Sequence, residues 1–213
     1  MKLRHVLLLM GAALAGAWWW SARDADTHHG APAPATACRL PPAVAPGQAP
    51  RQSDVPDSLR PFALAGYSLT PLAGFSIDAR VLSRKDYQSG READLSPLDL
   101  ALGWDRMADD GVLRQLDISQ SSRWYHYRWR DRPPLEPRLI VNSSANMHMI
   151  PGSEAAAAAL KKVARNDRVR IHGWLVEARA DDGWRWRSSL TREDSGGGAC
   201  EVVYVCGVEI AAR

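Results

Sequence analysis

The sequence predicts a mainly β fold with two helices, an α+β arrangement. Its element order matches a small OB-like barrel, with an α+β sandwich as the rival. Three observations carry that expectation. Segments of alternating apolar and polar residues recur between turn residues, as in Phe75 to Leu82 and Val169 to Leu175, and a period of two marks a half-buried strand. One alanine-rich helix falls after a third strand and before a β-hairpin, where a five-stranded barrel of that type carries it. The last segment, Cys200 to Ile210, is apolar except for Glu201 and Glu209, as a central strand buried on both faces is.

Ahead of this domain the chain reads as two other regions. Residues 1–22 are expected to target a membrane: Lys2 and Arg4 precede an apolar or small run from Val6 to Trp20, and the positive flank stays on the cytoplasmic side. Two outcomes remain open. Ala15-Gly16-Ala17 is a small-x-small site, so a signal peptide would be cleaved after Ala17. An uncleaved anchor is favoured, because Trp18, Trp19 and Trp20 suit an interfacial aromatic belt. The run from Val6 to Ala22 would span ~25 Å at ~1.5 Å per residue, near the short limit for a bilayer. The expected location is therefore the inner membrane, single pass, with the C-terminal domain periplasmic. Cleavage would release it into the periplasm. Residues 23–56 repeat Ala and Pro (Ala31-Pro32-Ala33-Pro34, Pro41-Pro42, Ala49-Pro50) and read as a semi-rigid spacer.

Residues 57–213 are long enough for one domain with its own core. Their acidic and basic residues nearly cancel, leaving a net charge of +1, so no nucleic acid is expected as a partner. Of the three cysteines, Cys200 and Cys206 are too far apart along one strand to pair. Any intramolecular disulfide must therefore use Cys38; the other reading is two buried thiols.

Within the domain Phe75, Ile77, Ala79 and Val81 share one strand face. Ser96-Pro97-Leu98-Asp99 has the pattern of a helix start, with Gly103 as its stop. Leu113 to Ser119 reads as a strand. So does Ser122 to Arg130, with Tyr125, Tyr127 and Trp129 on one side and Trp124, His126 and Arg128 on the other. Leu139 to Val141 reads as a short buried strand and Asn142 to Pro151 as a polar loop. Ser153 can cap a helix from Glu154 to Arg165, whose alanines favour it. In the hairpin that follows, Asp182-Gly183 suggests a two-residue turn, which sets Ser188 opposite Glu177. Gly173 in mid-strand suits a sharply coiled sheet.

The best site candidate is the Asn142 to Pro151 segment, where His148 is placed as a base and Ser144 as a nucleophile, with no acid nearby in sequence to orient the imidazole. Asn146, His148 and Arg192 are candidate binding residues. Trp124 and Arg128 join them, since the faces around Trp124, Arg128, Trp174 and Arg187 can stack on rings. The Gly-rich stretch after Arg192 lacks a P-loop ending. No histidine or cysteine spacing suggests a metal, and no cofactor motif is present.

The segments Arg91 to Pro97, Ser144 to Pro151, and Ser188 to Arg192 with Gly198 to Glu201 resemble those of a family of uncharacterised, membrane-anchored or exported bacterial proteins. The resemblance spans most of Leu82 to Val205 and implies no activity and no catalytic residue. The expected function is a membrane-tethered periplasmic domain that binds a protein partner or small ligand. A hydrolase using Ser144 and His148 is the alternative, and oligonucleotide binding ranks third.

Overall fold

The computed structural model describes residue 38, residues 44–191 and residues 198–211. The expected N-terminal targeting segment and Arg192 lie outside the described residues. Among those described, no helix is long and apolar enough to cross a membrane.

The longest element is β3 (Tyr67–Asp86). It is long enough to pair with two neighbours along different parts of its length. Its first part runs antiparallel to β8 (Arg168–Arg179) and its last part antiparallel to β4 (Leu98–Gly103). β4 pairs with β7 (Ser144–Pro151), β7 pairs in parallel with β10 (Glu201–Ile210), and β10 pairs antiparallel with β8. The pairings return to their start, so five strands form a ring. β1 (Arg51–Ser53) and β2 (Phe62–Leu64) add to β3, and β9 (Arg185–Arg187) adds to β8. A separate hairpin, β5 (Asp117–Ser121) with β6 (Trp124–Arg128), lies between β4 and β7 in sequence. The α+β, mainly β class holds, with four α-helices among the described residues where two were expected.

The core inside the ring follows from the two-residue period. Phe75, Ile77, Ala79 and Val81 meet Leu98, Leu100, Leu102, Met147, Met149, Val203 and Val205. Helix α4 (Glu154–Lys162) packs Ala156 and Leu160 into it. Its Ser153 cap is in place, the hydroxyl accepting from Ala156 N at 3.1 Å. Close strand approach explains Gly173: a Cβ there would run into the Tyr204 carbonyl oxygen.

Five sequence expectations are corrected. Ser96 to Gly103 is no helix. A shorter helix, α1 (Arg91–Leu95), precedes it, and the residues from Leu98 form β4 because Leu98, Leu100 and Leu102 alternate into the core. Leu113 to Ser119 splits into α2 (Asp110–Leu113) and β5. Leu139 to Val141 lies in a helix, α3 (Pro137–Asn142), which buries Ile140 and leaves Leu139 and Val141 exposed. The expected loop from Asn142 is largely β7, since Ala145, Met147 and Met149 alternate inward despite the polar residues between them. The β8–β9 turn has three residues, Asp181 to Gly183, with Gly183 at φ 89°. A left-handed glycine closing a three-residue turn is a common hairpin form, and the extra residue sets Arg187 opposite Glu177.

Ordered structure also begins before residue 57. Cys38 forms a disulfide with Cys206, Cα to Cα 5.2 Å, and β1 comes from the same proline-rich stretch. Cys200 takes no part in that bond.

Candidate functional site

Every second residue of β4 and β7 points away from the ring core, and three of these outward residues, Asp99, Asn146 and His148, are polar and buried. Asp99 and His148 are cross-strand partners; they are 0% and 3% exposed, and Asn146 beside them is also buried. Two flaps cover them: the tip of the β5–β6 hairpin, and β9 with its Trp186.

The hairpin tip is a two-residue turn, Ser122-Arg123, both with positive φ (50° and 67°). Turns of that shape favour Asn and Gly, and other residues adopt them at a cost of order 1 kcal/mol each. Arg123 is held there from several sides. Its Nη1 donates to Asp99 Oδ1 at 2.8 Å and its Nη2 to Ser96 O at 3.0 Å. Its backbone N–H donates to Tyr87 Oη at 3.0 Å, and its guanidinium lies 3.9 Å from the Tyr87 ring centre. Its carbonyl accepts from Asn146 Nδ2 at 3.0 Å. Asn146 Nδ2 also reaches Asp99 Oδ2 at 3.3 Å, while its Oδ1 accepts from Gln120 Nε2 at 2.6 Å. Burial, and next the charge of Asp99, raise the Tyr87 hydroxyl above its usual range, so it remains a neutral acceptor for Arg123.

His148 Nδ1 lies 2.9 Å from Asp99 Oδ1, outside hydrogen-bond alignment, so the contact is one of proximity. The other side of the imidazole meets Trp186, with ring centres 4.7 Å apart.

Above this layer lies a cleft of ≈ 480 Å³ lined by Arg123, Trp124, His148, Arg185, Trp186 and Arg187, with Gly198 and Cys200. Glu177 sits behind its arginines. It is 3% exposed and accepts from Arg179 Nε at 2.5 Å and from Arg185 Nε and Arg187 Nη1 at 2.8 Å each. Burial alone would raise its pKa. The hydrogen bonds from Arg187 and Arg179 and the charges of Arg179 and Arg185 outweigh that and bring it to about 2. The carboxylate therefore stays charged and pins three guanidinium groups.

The sequence-predicted residues fall in different places. His148 and Trp124 line the cleft, and Asn146 braces it from below. Arg128 sits at the far end of the hairpin, on a second, open depression with Arg114 and Trp129. Trp174 is buried in a core cluster. Ser144 donates to Ile140 O at 2.6 Å and lies 3.2 Å from Tyr125 Oη. It stands four positions from His148 along one strand, a separation of ~13 Å. The acid that sequence reading lacked for His148 is Asp99, brought across from the neighbouring strand. Arg123, Trp186 and Glu177 were also missed. Asp99 had a local signal, as a lone charge alternating with Leu98 and Leu100. Arg123 had none beyond its place in a turn. Among the described residues no three His, Cys, Asp or Glu side chains are grouped to hold a metal ion.

Three stretches far apart in sequence meet around the cleft: Arg91 to Pro97, Ser144 to Pro151, and Ser188 to Thr191 with Gly198 to Glu201. Ser96 comes from the first, Asn146 and His148 from the second, and Cys200 from the third, where Ser189 N–H donates to Cys200 O at 3.1 Å. Compared with protein-family models, curated proteins and solved structures, the chain matches none.

Proposed function

We propose that this chain is a membrane-tethered periplasmic binding domain, built on an OB-like barrel, that takes a small ligand or a segment of a partner protein in the cleft above His148. One observation carries the reading: a network of Asp99, Asn146 and Arg123, with His148 beside it, holds a hairpin tip in an unfavourable backbone conformation directly beside an open cleft. Backbone strain that the surroundings over-determine is typical of binding and catalytic sites. Such a network preorganises the walls, which lowers the ordering cost of binding.

The OB-like architecture is supported by the closed order of five strands, the parallel pairing of the third and fifth of them, and the helix between the third and fourth. The ligand face of such barrels is the outside of the second and third strands, the position held here by Asp99 and His148. Membrane attachment rests on Lys2, Arg4 and the apolar run that follows. The Cys38–Cys206 pairing supports an oxidising compartment. An intact mass on the purified chain tells anchor from cleaved signal by whether residues 1–17 are retained.

The test is native purification of the full chain from membranes, with identification of the proteins and small molecules that accompany it. Wild type is expected to retain a component that Trp124→Ala loses, since Trp124 is a rim residue 39% exposed and its removal leaves the fold intact. The same component retained equally by both would sink the reading.

A hydrolytic reading is favoured by one feature, the carboxylate of Asp99 behind His148. The contacts of Ser144 with Ile140 and Tyr125 weigh against it, because they turn the proposed nucleophile away from the imidazole. Oligonucleotide binding is the least favoured, given the net charge of +1 beyond residue 56. A salt titration that finds tight binding to single strands at low ionic strength would revive it.

A further inference from the structure

Among the described residues, arginines line the cleft and the acids that hold them lie behind it. No carboxylate lines it among the described residues, whereas Arg123, Arg185 and Arg187 do. The carboxylates that hold those arginines, Asp99 and Glu177, are buried. Each fixes its guanidinium groups from the rear. An arginine carries five N–H donors in a rigid fork. Arg185 gives Glu177 only its Nε, and Arg187 only one terminal nitrogen. The side chains of Arg185 and Arg187 are 52% and 44% exposed, so the rest of each fork is open to solvent. Guanidinium groups held in place and turned outward suit an oxyanion, which they grip with paired hydrogen bonds. A cation would be repelled, and a neutral ligand would gain less from the charged forks than an oxyanion would. Trp124, at the same cleft and partly exposed, presents a flat apolar face on which a ring can stack.

We infer that the cleft binds a small organic oxyanion, a carboxylate or phosphate group carried on a flat ring. Arg185 and Arg187 take the charged group and Trp124 takes the ring. The inference rests on the cleft being the ligand site proposed above and adds the chemical class of the ligand.

Calorimetry on the full chain with three probes tests it: phenyl phosphate, inorganic phosphate and phenol. Phenyl phosphate should bind more tightly than either fragment, and added sodium chloride should weaken it. The R185Q/R187Q variant should lose about tenfold or more in affinity for both phosphates, as the loss of charged hydrogen bonds implies. Trp124→Ala should weaken phenyl phosphate and leave inorganic phosphate unchanged. Because R185Q/R187Q removes two partners of a buried acid, E177Q/R185Q/R187Q serves as the balanced version and should show the same loss. Failure of the wild type to bind phenyl phosphate at millimolar concentration overturns the inference, and so does equal affinity in wild type and the balanced variant. The two proposals fail separately. If R185Q/R187Q loses a component co-purifying from membranes while no probe binds, the oxyanion class is wrong and the cleft remains the site. If the variant keeps every component that wild type retains, the cleft itself is the wrong site.

Discussion

Asp99 shows how much one buried charge can organise. It is fully buried on the outer side of β4 and faces Arg123 at 2.8 Å and His148 at 2.9 Å. Removing one member of a buried ion pair leaves the other desolvated and uncompensated, which costs about 3–5 kcal/mol. Asp99→Ala is therefore expected to lower stability by about that amount, measured by urea denaturation; a loss below about 1 kcal/mol would mean that water reaches Arg123 and replaces the carboxylate. Ser122 offers the opposite case. It sits exposed at positive φ at the hairpin tip, and Asn tolerates that region better than Ser. Ser122→Asn should raise stability by about 0.5 kcal/mol without altering the cleft, read as a shift in the denaturation midpoint.

At the level of elements, the stretch before residue 57 is part of the fold and not only a linker. It contributes β1 to the edge of β3 and ties Cys38 to Cys206, at the point where the register of β10 shifts. The bond closes a loop with a sequence separation of 168. Constraining an unfolded chain that strongly is worth about 3–5 kcal/mol when native geometry is undisturbed. Cys38→Ser is expected to lose that amount and to become insensitive to added reductant; unchanged stability in both tests would mean that the thiols are reduced in the purified protein. The hairpin β5–β6 and the strand β9 act as covers. Each carries one ring or guanidinium group onto the polar face of β4 and β7, and neither belongs to the five-stranded ring.

For the whole molecule, closing the ring turns alternation into an inside and an outside. The inside is mainly apolar, while the outside of β4 and β7 carries the roofed polar group Asp99, Asn146 and His148. Arg185 and Arg187 of β9, paired with Glu177 of β8, tie the two strands together at the rim of the cleft. The folded-state pKa of Glu177, about 2, lies below its ordinary value of 4.5. A group depressed in this way stabilises the fold fully above its unfolded pKa. The contribution is lost as pH falls through that value toward about 2. Unfolding free energy should accordingly drop as pH is lowered across that window, and Glu177→Gln should flatten the drop. A variant with the same acid profile as wild type would place the acid-sensitive group elsewhere.

Parts of this architecture were legible in the chain before folding was considered. Strict alternation in Phe75 to Val81, the capped alanine-rich helix after Ser153, and the apolar last strand are each set by local physics: the strand period, capping and side-chain propensity. The class, α+β and mainly β, followed from them. The site was only half legible. His148 and Asn146 stood out as polar residues in an unusual context, yet the segment holding them was read as a loop, because hydrophobic pattern alone does not reveal that a strand's outer face will be roofed. Asp99 was assigned to a helix cap, since Ser96 and Asp99 carry that signature locally. Only the pairing of β4 with β7, residues far apart in sequence, makes Asp99 the partner of His148. Arg123 acquires its role from the hairpin tip that swings it over Asp99. The sequence by itself determined which segments can be strands or helices and which faces they bury, for those depend on neighbours a few residues away. Tertiary structure decided which charges meet, which cysteines pair and where the cleft opens, since burial changes the energy of a charge only after distant strands have excluded water from it.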